Sequence, residues 1–281
     1  MFLIFTLLKI IMIRLGLIRS DVRVSLGLSG WVISGYRAVS RRESPASQAP
    51  KIFPNIRKNA SDFATFYSVF VKEEYRLWNL KRFAEIEAFV NNSPKCPLII
   101  DCGANVGYTS LYFKLLFPEA KLVLIEPEFE NLQSCKKLLS EFDQSDILFL
   151  QNVISASEGK FVLKDEQARP DGFTFKQANS GIEAIMLPDL IDKSTAYFED
   201  SYPFVLKVDI EGHEAGIFEN AGEHVDKFLL AFIEFHDWIY PEKRTAASGL
   251  KMLGELERNF LISGENVLSI RDKITVNKTD C

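Results

Sequence analysis

The chain has 281 residues, enough for one large domain or a domain with an extension, and its 47% hydrophobic and 25% charged residues allow a sizeable core. A net charge of −5 argues against a nucleic-acid partner held by phosphate contacts. Four scattered cysteines, Cys96, Cys102, Cys135 and Cys281, contain no C-x-x-C pair, which excludes a recognisable zinc site or disulfide framework and suits a reducing cytoplasm.

Residues 1–18 are mostly apolar, but Lys9 and Arg14 interrupt them. A spanning helix needs about 20 unbroken apolar residues, and a central charge costs roughly 2.5–3.5 kcal/mol on insertion scales. A secretory leader would put its positive charges first, which Met1-Phe2-Leu3-Ile4 does not do. The segment reads as a helix packed on the body or, at most, as a peripheral and salt-sensitive membrane contact of a cytoplasmic protein. Residues 38–49, with Arg41-Arg42 and Ser44-Pro45-Ala46-Ser47, read as a flexible linker. We therefore divide the chain into an extension and linker (1–50), a helical lead-in (51–95) and a main domain (96–281).

From 59 to 91 apolar residues recur at three- and four-residue steps (Phe63, Phe66, Phe70, then Trp78, Phe83, Ile86, Phe89), which predicts helix until Pro94 and Pro97. The run Leu98-Ile99-Ile100 predicts a strand. Helical Tyr108–Leu116, a strand over 122–126, a helix over 131–142, the strand Ile147–Leu150 and a short strand at 161–163 follow. Residues 165–181 are polar and aperiodic, an ordered loop or lid in which Arg169, Phe173, Phe175 and Lys176 are candidate acceptor contacts. Strands over 204–210 and 229–235, a helix over 246–258 and a hairpin over 260–270 complete the chain. Strands alternating with helices imply an α/β fold, a parallel sheet covered by helices on both faces, to which the hairpin adds an antiparallel strand.

The most informative stretch is Asp101-Cys102-Gly103-Ala104-Asn105-Val106-Gly107, a D-x-G-x-N-x-G turn between the first strand of the sheet and a helix. Glycine is needed where backbone turns tightly or lies against a ligand, and amides at the helix start near Val106 can face a carboxylate. The dinucleotide fingerprint G-x-G-x-x-G is missing. An acidic residue before the loop disfavours a phosphate and suits a cofactor with a cationic amino group, as in S-adenosylmethionine. Asp101, Gly103, Asn105 and Gly107 are candidates for its amino-acid end. Glu126, closing the next strand, is placed for the ribose hydroxyls, and Gln151 and Asn152, after the third strand, for the adenine border.

In such sheets ligands lie beyond the carboxyl ends of the strands. Lys207-Val208-Asp209-Ile210-Glu211-Gly212-His213-Glu214 sits at one such end. Alternation puts Lys207, Asp209 and Glu211 on one face, and a lysine in an apolar strand needs a partner, for which Asp209 is the natural choice. At the next strand end Glu234 and His236 share a face. A histidine has a pKa suited to a general base, so Asp209, Glu211 and His236 are the candidate catalytic residues, while His224 reads as surface. Asp209, Glu234 and His236 are of the right type and order for a divalent metal, but spacing across strands alone does not establish one, and none is expected.

The chain resembles the FkbM-type S-adenosylmethionine-dependent methyltransferases. The resemblance rests on the loop with Tyr108-Thr109-Ser110, on Glu126-Pro127 followed by Asn131, and on Leu206-Lys207-Val208-Asp209-Ile210-Glu211-Gly212-His213-Glu214. Met186-Leu187-Pro188-Asp189-Leu190, Glu234-Phe235-His236 and Phe70-Val71-Lys72-Glu73-Glu74-Tyr75 are weaker matches. Together they span 60–275, and the first 50 residues have no counterpart. The resemblance implies a Rossmann-like seven-stranded methyltransferase sheet and O-methylation of a hydroxyl on a sugar, glycan or secondary metabolite. His213 stands where the family often has a small residue, so no role carries over to it. A non-catalytic protein of the same fold has no use for the unbroken set of loop and strand-end polar residues, and an NAD-dependent oxidoreductase is disfavoured by the missing fingerprint.

Overall fold

The computed structural model describes residues 22–27, 30–36, 60–163, 175–237, 239, 242, 244–263 and 265–274. The expected terminal helix (1–18) and linker (38–49) lie outside them. An antiparallel hairpin that periodicity did not reveal, β1 (Val22–Gly27) and β2 (Gly30–Tyr36), comes first. The helix expected over 59–91 is interrupted. It resolves into α1 (Ala60–Phe66), a π-helical continuation (Tyr67–Lys72), a stretch of turns, and α2 (Phe83–Asn92). The break falls at Glu73, whose left-handed φ of 55° cannot continue a helix.

The main sheet follows. β3 (Cys96–Cys102) leads through the loop into α3 (Tyr108–Leu116), then β4 (Lys121–Ile125), α4 (Phe129–Leu138) and β5 (Ile147–Leu150). A second, four-stranded sheet is inserted next, from β6 (Val153–Ile154), β7 (Lys160–Leu163), β8 (Phe175–Ala178) and β9 (Ile182–Ile185), in the order β6-β9-β7-β8. The expected 165–181 loop is thus corrected at its end. Residues 175–178 pair antiparallel with β7, and their mixed, half-exposed pattern left no apolar period to read. Arg169 and Phe173 lie outside the described residues.

The chain returns through α5 (Leu187–Tyr197), β10 (Ser201–Val208), the short α6 (Gly222–Asp226), β11 (Leu230–Glu234), α7 (Ala246–Glu255) and the hairpin β12 (Arg258–Ser263) and β13 (Asn266–Arg271). The order in the large sheet is β12-β13-β11-β10-β3-β4-β5. The five strands from β11 to β5 are parallel, and β13 runs against both its neighbours. No helix among the described residues is long and apolar enough to cross a membrane.

Period-2 alternation in the central strands makes two cores, because both faces are covered. Leu98, Ile100, Val123, Ile125, Leu206, Val208, Ala231 and Ile233 pack with α5, α6 and α7 on one side. Ile99, Leu122, Leu124, Val205, Leu230 and Phe232 pack on the other with α2, α3 and the π-helical turn. Aromatic side chains fill the second core. Phe113 and Phe232 meet at 5.7 Å between ring centroids, and Tyr75 packs edge-on to both, at 5.7 and 5.3 Å. Each such ring contributes roughly 1.5–3 kcal/mol through burial, and together they fix Tyr75 beside the strand ends.

Candidate active site

Toward the carboxyl ends of β3, β10 and β11 the apolar series on the α3 side (Ile99, Val205, Phe232) gives way to Asp101, Lys207 and Glu234. Lys207 and Asp101 are register partners. The lysine Nζ lies 3.2 Å from Asp101 Oδ1 and 3.3 Å from Asp209 Oδ2, and donates to the Gly103 carbonyl at 2.6 Å. Burial opposes the ammonium charge, yet the carboxylates of Asp101 and Asp209 outweigh it and hold the pKa well above the ordinary lysine value. Asp209 is therefore the partner expected from the sequence, and Asp101, across the strand, is a second one.

Asp101 does not line the cleft. It has no exposed surface, and its carboxylate is spent on Lys207 and on the Ser110 hydroxyl, which donates to Oδ2 at 2.6 Å. It ties the loop to α3 and β10 from beneath instead of facing an amino group directly. Gly103 (φ 80°) is required for a related reason, since a Cβ there would stand 1.8 Å from the Asp209 carbonyl oxygen. The close approach is to the end of β10. Asn105 adopts a left-handed φ of 50°, which aims its amide at Glu126 Oε2, 2.8 Å away. Gly107 (φ 88°) starts α3 with Cys135 packed behind it.

Glu126 follows β4 directly and is buried. Its carboxylate accepts from the amides of Asn105 and Glu128, at 2.8 and 3.0 Å. Burial pushes its pKa up to about 7, against these hydrogen bonds and that of the Asn131 side chain. It borders a cleft walled also by Gly103, Asn105, Asn131, Asn152 and Phe175. Asn152 is at the border expected for it. Gln151 does not wall the cleft; its exposed side chain donates to the carbonyl of Pro127, which does. His213 also lines this cleft, its Nε2 accepting the Phe175 amide proton at 3.0 Å and so holding β8 against the opening.

A second cleft, of about 760 Å³, shares Gly103, Asn105, Asp209 and Glu211 with the first. Its other side is formed by Ser68, Glu74 and Tyr75 from the π-helical turn and beyond, with Glu234 and Glu265. Burial, then the charge of Asp209, push the Glu234 pKa upward. His236, with its side chain 3% exposed, stands behind this wall. Its Nδ1 lies 2.9 Å from Oε1 of the buried Glu214, which also accepts the Gly212 amide at 3.1 Å. Nε2 faces Glu211, Asp209 and Glu234 at 3.5, 3.6 and 3.6 Å. Burial disfavours the imidazolium, but the Glu214 hydrogen bond and the surrounding carboxylates prevail and raise the pKa to about 9. The three expected catalytic residues are thus brought together, but His236 keeps its proton at neutral pH. His224 pairs with Asp192 and lines neither cleft. Sequence reasoning assigned no role to Ser110, Asn131, Tyr75 or Glu214. For Glu214 only its place in the strand-end motif could have pointed to one.

A doubly covered sheet in this order, with a D-x-G-x-N-x-G loop at its centre and acidic residues at the adjoining strand ends, defines a Rossmann-like methyltransferase fold. Residues 101–262, more than half of the chain, match the methyltransferase FkbM domain, and the chain belongs to that family. It is similar to methyltransferase sdnD of Sordaria araneosa, 28% identical over 165 residues. That match takes in 48% of this chain and 64% of the relative, so just under two thirds of the relative's length. Among solved structures it is similar to the SAH-bound methyltransferase PaMTH1 of Podospora anserina (11% identity, 75% of this chain and 86% of that one, TM-score 0.38). Another is the precorrin-6y C5,15-methyltransferase of Geobacter metallireducens GS-15 (11% identity, 69% and 89%, TM-score 0.33). The fold assignment rests on the strand order, not on these distant likenesses.

Proposed function

We propose that the protein is an S-adenosylmethionine-dependent O-methyltransferase acting on a hydroxyl of a small molecule or glycan. The observation that carries the reading is the meeting of two clefts at Gly103, Asn105, Asp209 and Glu211, one bordered by a carboxylate suited to ribose hydroxyls and the other by proton-accepting carboxylates. S-adenosylmethionine supplies a methyl group on a sulfonium, which an acceptor oxygen displaces in line to leave S-adenosylhomocysteine.

Glu126 takes the ribose hydroxyls, whose donated hydrogen bonds favour its ionised form. Asn152 borders the base. The loop from Gly103 to Gly107 takes the amino-acid end, held in place from beneath by Asp101 and Lys207. The protein has mainly to align the hydroxyl with the methyl carbon and remove its proton. Glu211 reaches both clefts and is the group that accepts this proton. Asp209, fixed by Lys207, orients the oxygen, and His236 holds the two carboxylates in register.

Calorimetry with S-adenosylhomocysteine, run beside NADH, tests the reading. Micromolar binding of the first and none of the second is expected, with loss of binding in Asp101→Ala as its loop is released. No binding of S-adenosylhomocysteine to the wild type would overturn the proposal.

A further inference from the structure

The second cleft contains an arrangement that methyl transfer alone does not require. Asp209, Glu234 and His236 each offer one ligand atom, all within 4.8 Å of one another. A cation about 2.0–2.2 Å from each of its nitrogen and oxygen ligands sets those atoms about 3–3.6 Å apart, and His236 Nε2 stands 3.6 Å from both Asp209 Oδ1 and Glu234 Oε1. Acidic groups around a cleft are common and prove nothing alone. Two further observations point to a ligand.

The first is the histidine. Its side chain is 3% exposed and its ring is aimed into the cluster. Nδ1 is committed to Glu214, a carboxylate that backbone amides of Ile210 and Gly212 already hold, so the proton of that contact sits on Nδ1 and Nε2 is the nitrogen presented to the cleft. A carboxylate that fixes the tautomer of a histidine in this way is the usual outer partner of a metal-bound imidazole. The second is Asp209 Oδ1, which is buried and accepts no hydrogen bond from the described residues.

We propose that Asp209, Glu234 and His236 form a binding site for a first-row divalent cation at the edge of the acceptor cleft. One imidazole with two carboxylates suits Mn²⁺, Fe²⁺ or Zn²⁺ better than Ca²⁺ or Mg²⁺, which prefer oxygen alone. Metal ion and proton compete for Nε2. Open coordination positions face the cleft, where a hydroxyl bound to the cation becomes more acidic and gives its proton to Glu211 more readily. That role rests on the O-methyltransferase reading; the binding site does not.

The probe is Mn²⁺ titrated into the metal-stripped full chain, followed by the electron paramagnetic resonance of the free ion. One equivalent bound per chain with micromolar affinity is expected, and pulsed measurements on the bound ion should show coupling to one imidazole nitrogen. His213→Gln and His224→Gln should leave that coupling in place, which assigns it to His236. Glu234→Gln, nearly isosteric, should weaken Mn²⁺ at least tenfold, and Glu214→Gln by 10- to 100-fold, about the loss seen for outer partners. Absence of stoichiometric Mn²⁺, absence of nitrogen coupling, or unchanged affinity in folded Glu234→Gln would each overturn the site. If a variant fails to fold, the wild-type coupling still decides. Mn²⁺ bound in a protein that ignores S-adenosylhomocysteine keeps the metal site and removes the methyl-transfer reading. The reverse outcome removes the metal site alone.

Discussion

Glu126 should make cofactor affinity depend on pH. In the ligand-free protein burial raises its pKa from 4.5 to about 7, so ionising it costs the folded state about 3 kcal/mol at 1.36 kcal/mol per unit. In the proposed complex, ribose hydroxyls donate to the carboxylate and favour the charged form. Binding therefore releases a proton below pH 7, and affinity rises with pH. About one tenth of Glu126 is ionised at pH 6, so S-adenosylhomocysteine should bind about tenfold more weakly there than at pH 8, a difference of about 1.4 kcal/mol. The folded pKa lies above the unfolded one, so the contribution of Glu126 to the stability of the free protein is fully present below pH 4.5 and falls as pH rises through 7. Calorimetry at pH 6–8 in two buffers of different ionisation enthalpy reads affinity and proton release together. Glu126→Gln should bind less tightly, release no proton and lose the slope. Affinity independent of pH in the wild type, or a slope that survives in Glu126→Gln, would refute the assignment of the ribose to this residue.

Gly103→Ala puts a methyl group 1.8 Å from the Asp209 carbonyl and forces a side chain into φ 80°, so urea denaturation should show a loss of more than about 2 kcal/mol, with weaker S-adenosylhomocysteine binding. Wild-type stability there would mean that the two strand ends are not in contact. Lys207→Met leaves Asp101 and Asp209 without their buried cation and should cost about 3–5 kcal/mol, part of it regained when Asp101→Asn is added. A neutral effect of the single change would show the ion pair to be dispensable. Phe232→Ala removes a fully buried ring packed against both Tyr75 and Phe113 and should lower stability by about 3–5 kcal/mol, seen as a lower Tm.

The sheet and the glycine loop after its first strand were legible because their signals are local. Leu98 to Asp101, 122–126 and 204–209 are apolar runs ended by charge, and a turn with two glycines separates the first from its helix. What was hidden is set by contacts distant in sequence. Nothing near Asp101 shows that Lys207 will sit opposite it, so its charge looked available when it was already paired. Nothing near Glu214 shows that its carboxylate turns back to His236. The π-helical turn has nearly the helix period of apolar residues, so only the left-handed Glu73 marks the break. Strands β8 and β9 are four residues each and half exposed, too short and too wet for alternation to show.

The contact beneath Gly103 also bears on how such a protein can diverge. With Gly103 packed against the Asp209 carbonyl and its own carbonyl held by Lys207, the parts that in the proposed reaction set the distance between methyl donor and proton acceptor form one corner of the sheet. The outer walls of the acceptor cleft come from elsewhere in the chain, the π-helical turn with Ser68 and the stretch with Glu74 and Tyr75 beyond it. Mutations in those walls can reshape which molecules are admitted while the spacing at the reacting atoms stays untouched. Novelty in substrate and constancy in chemistry are thereby assigned to separate stretches of one gene.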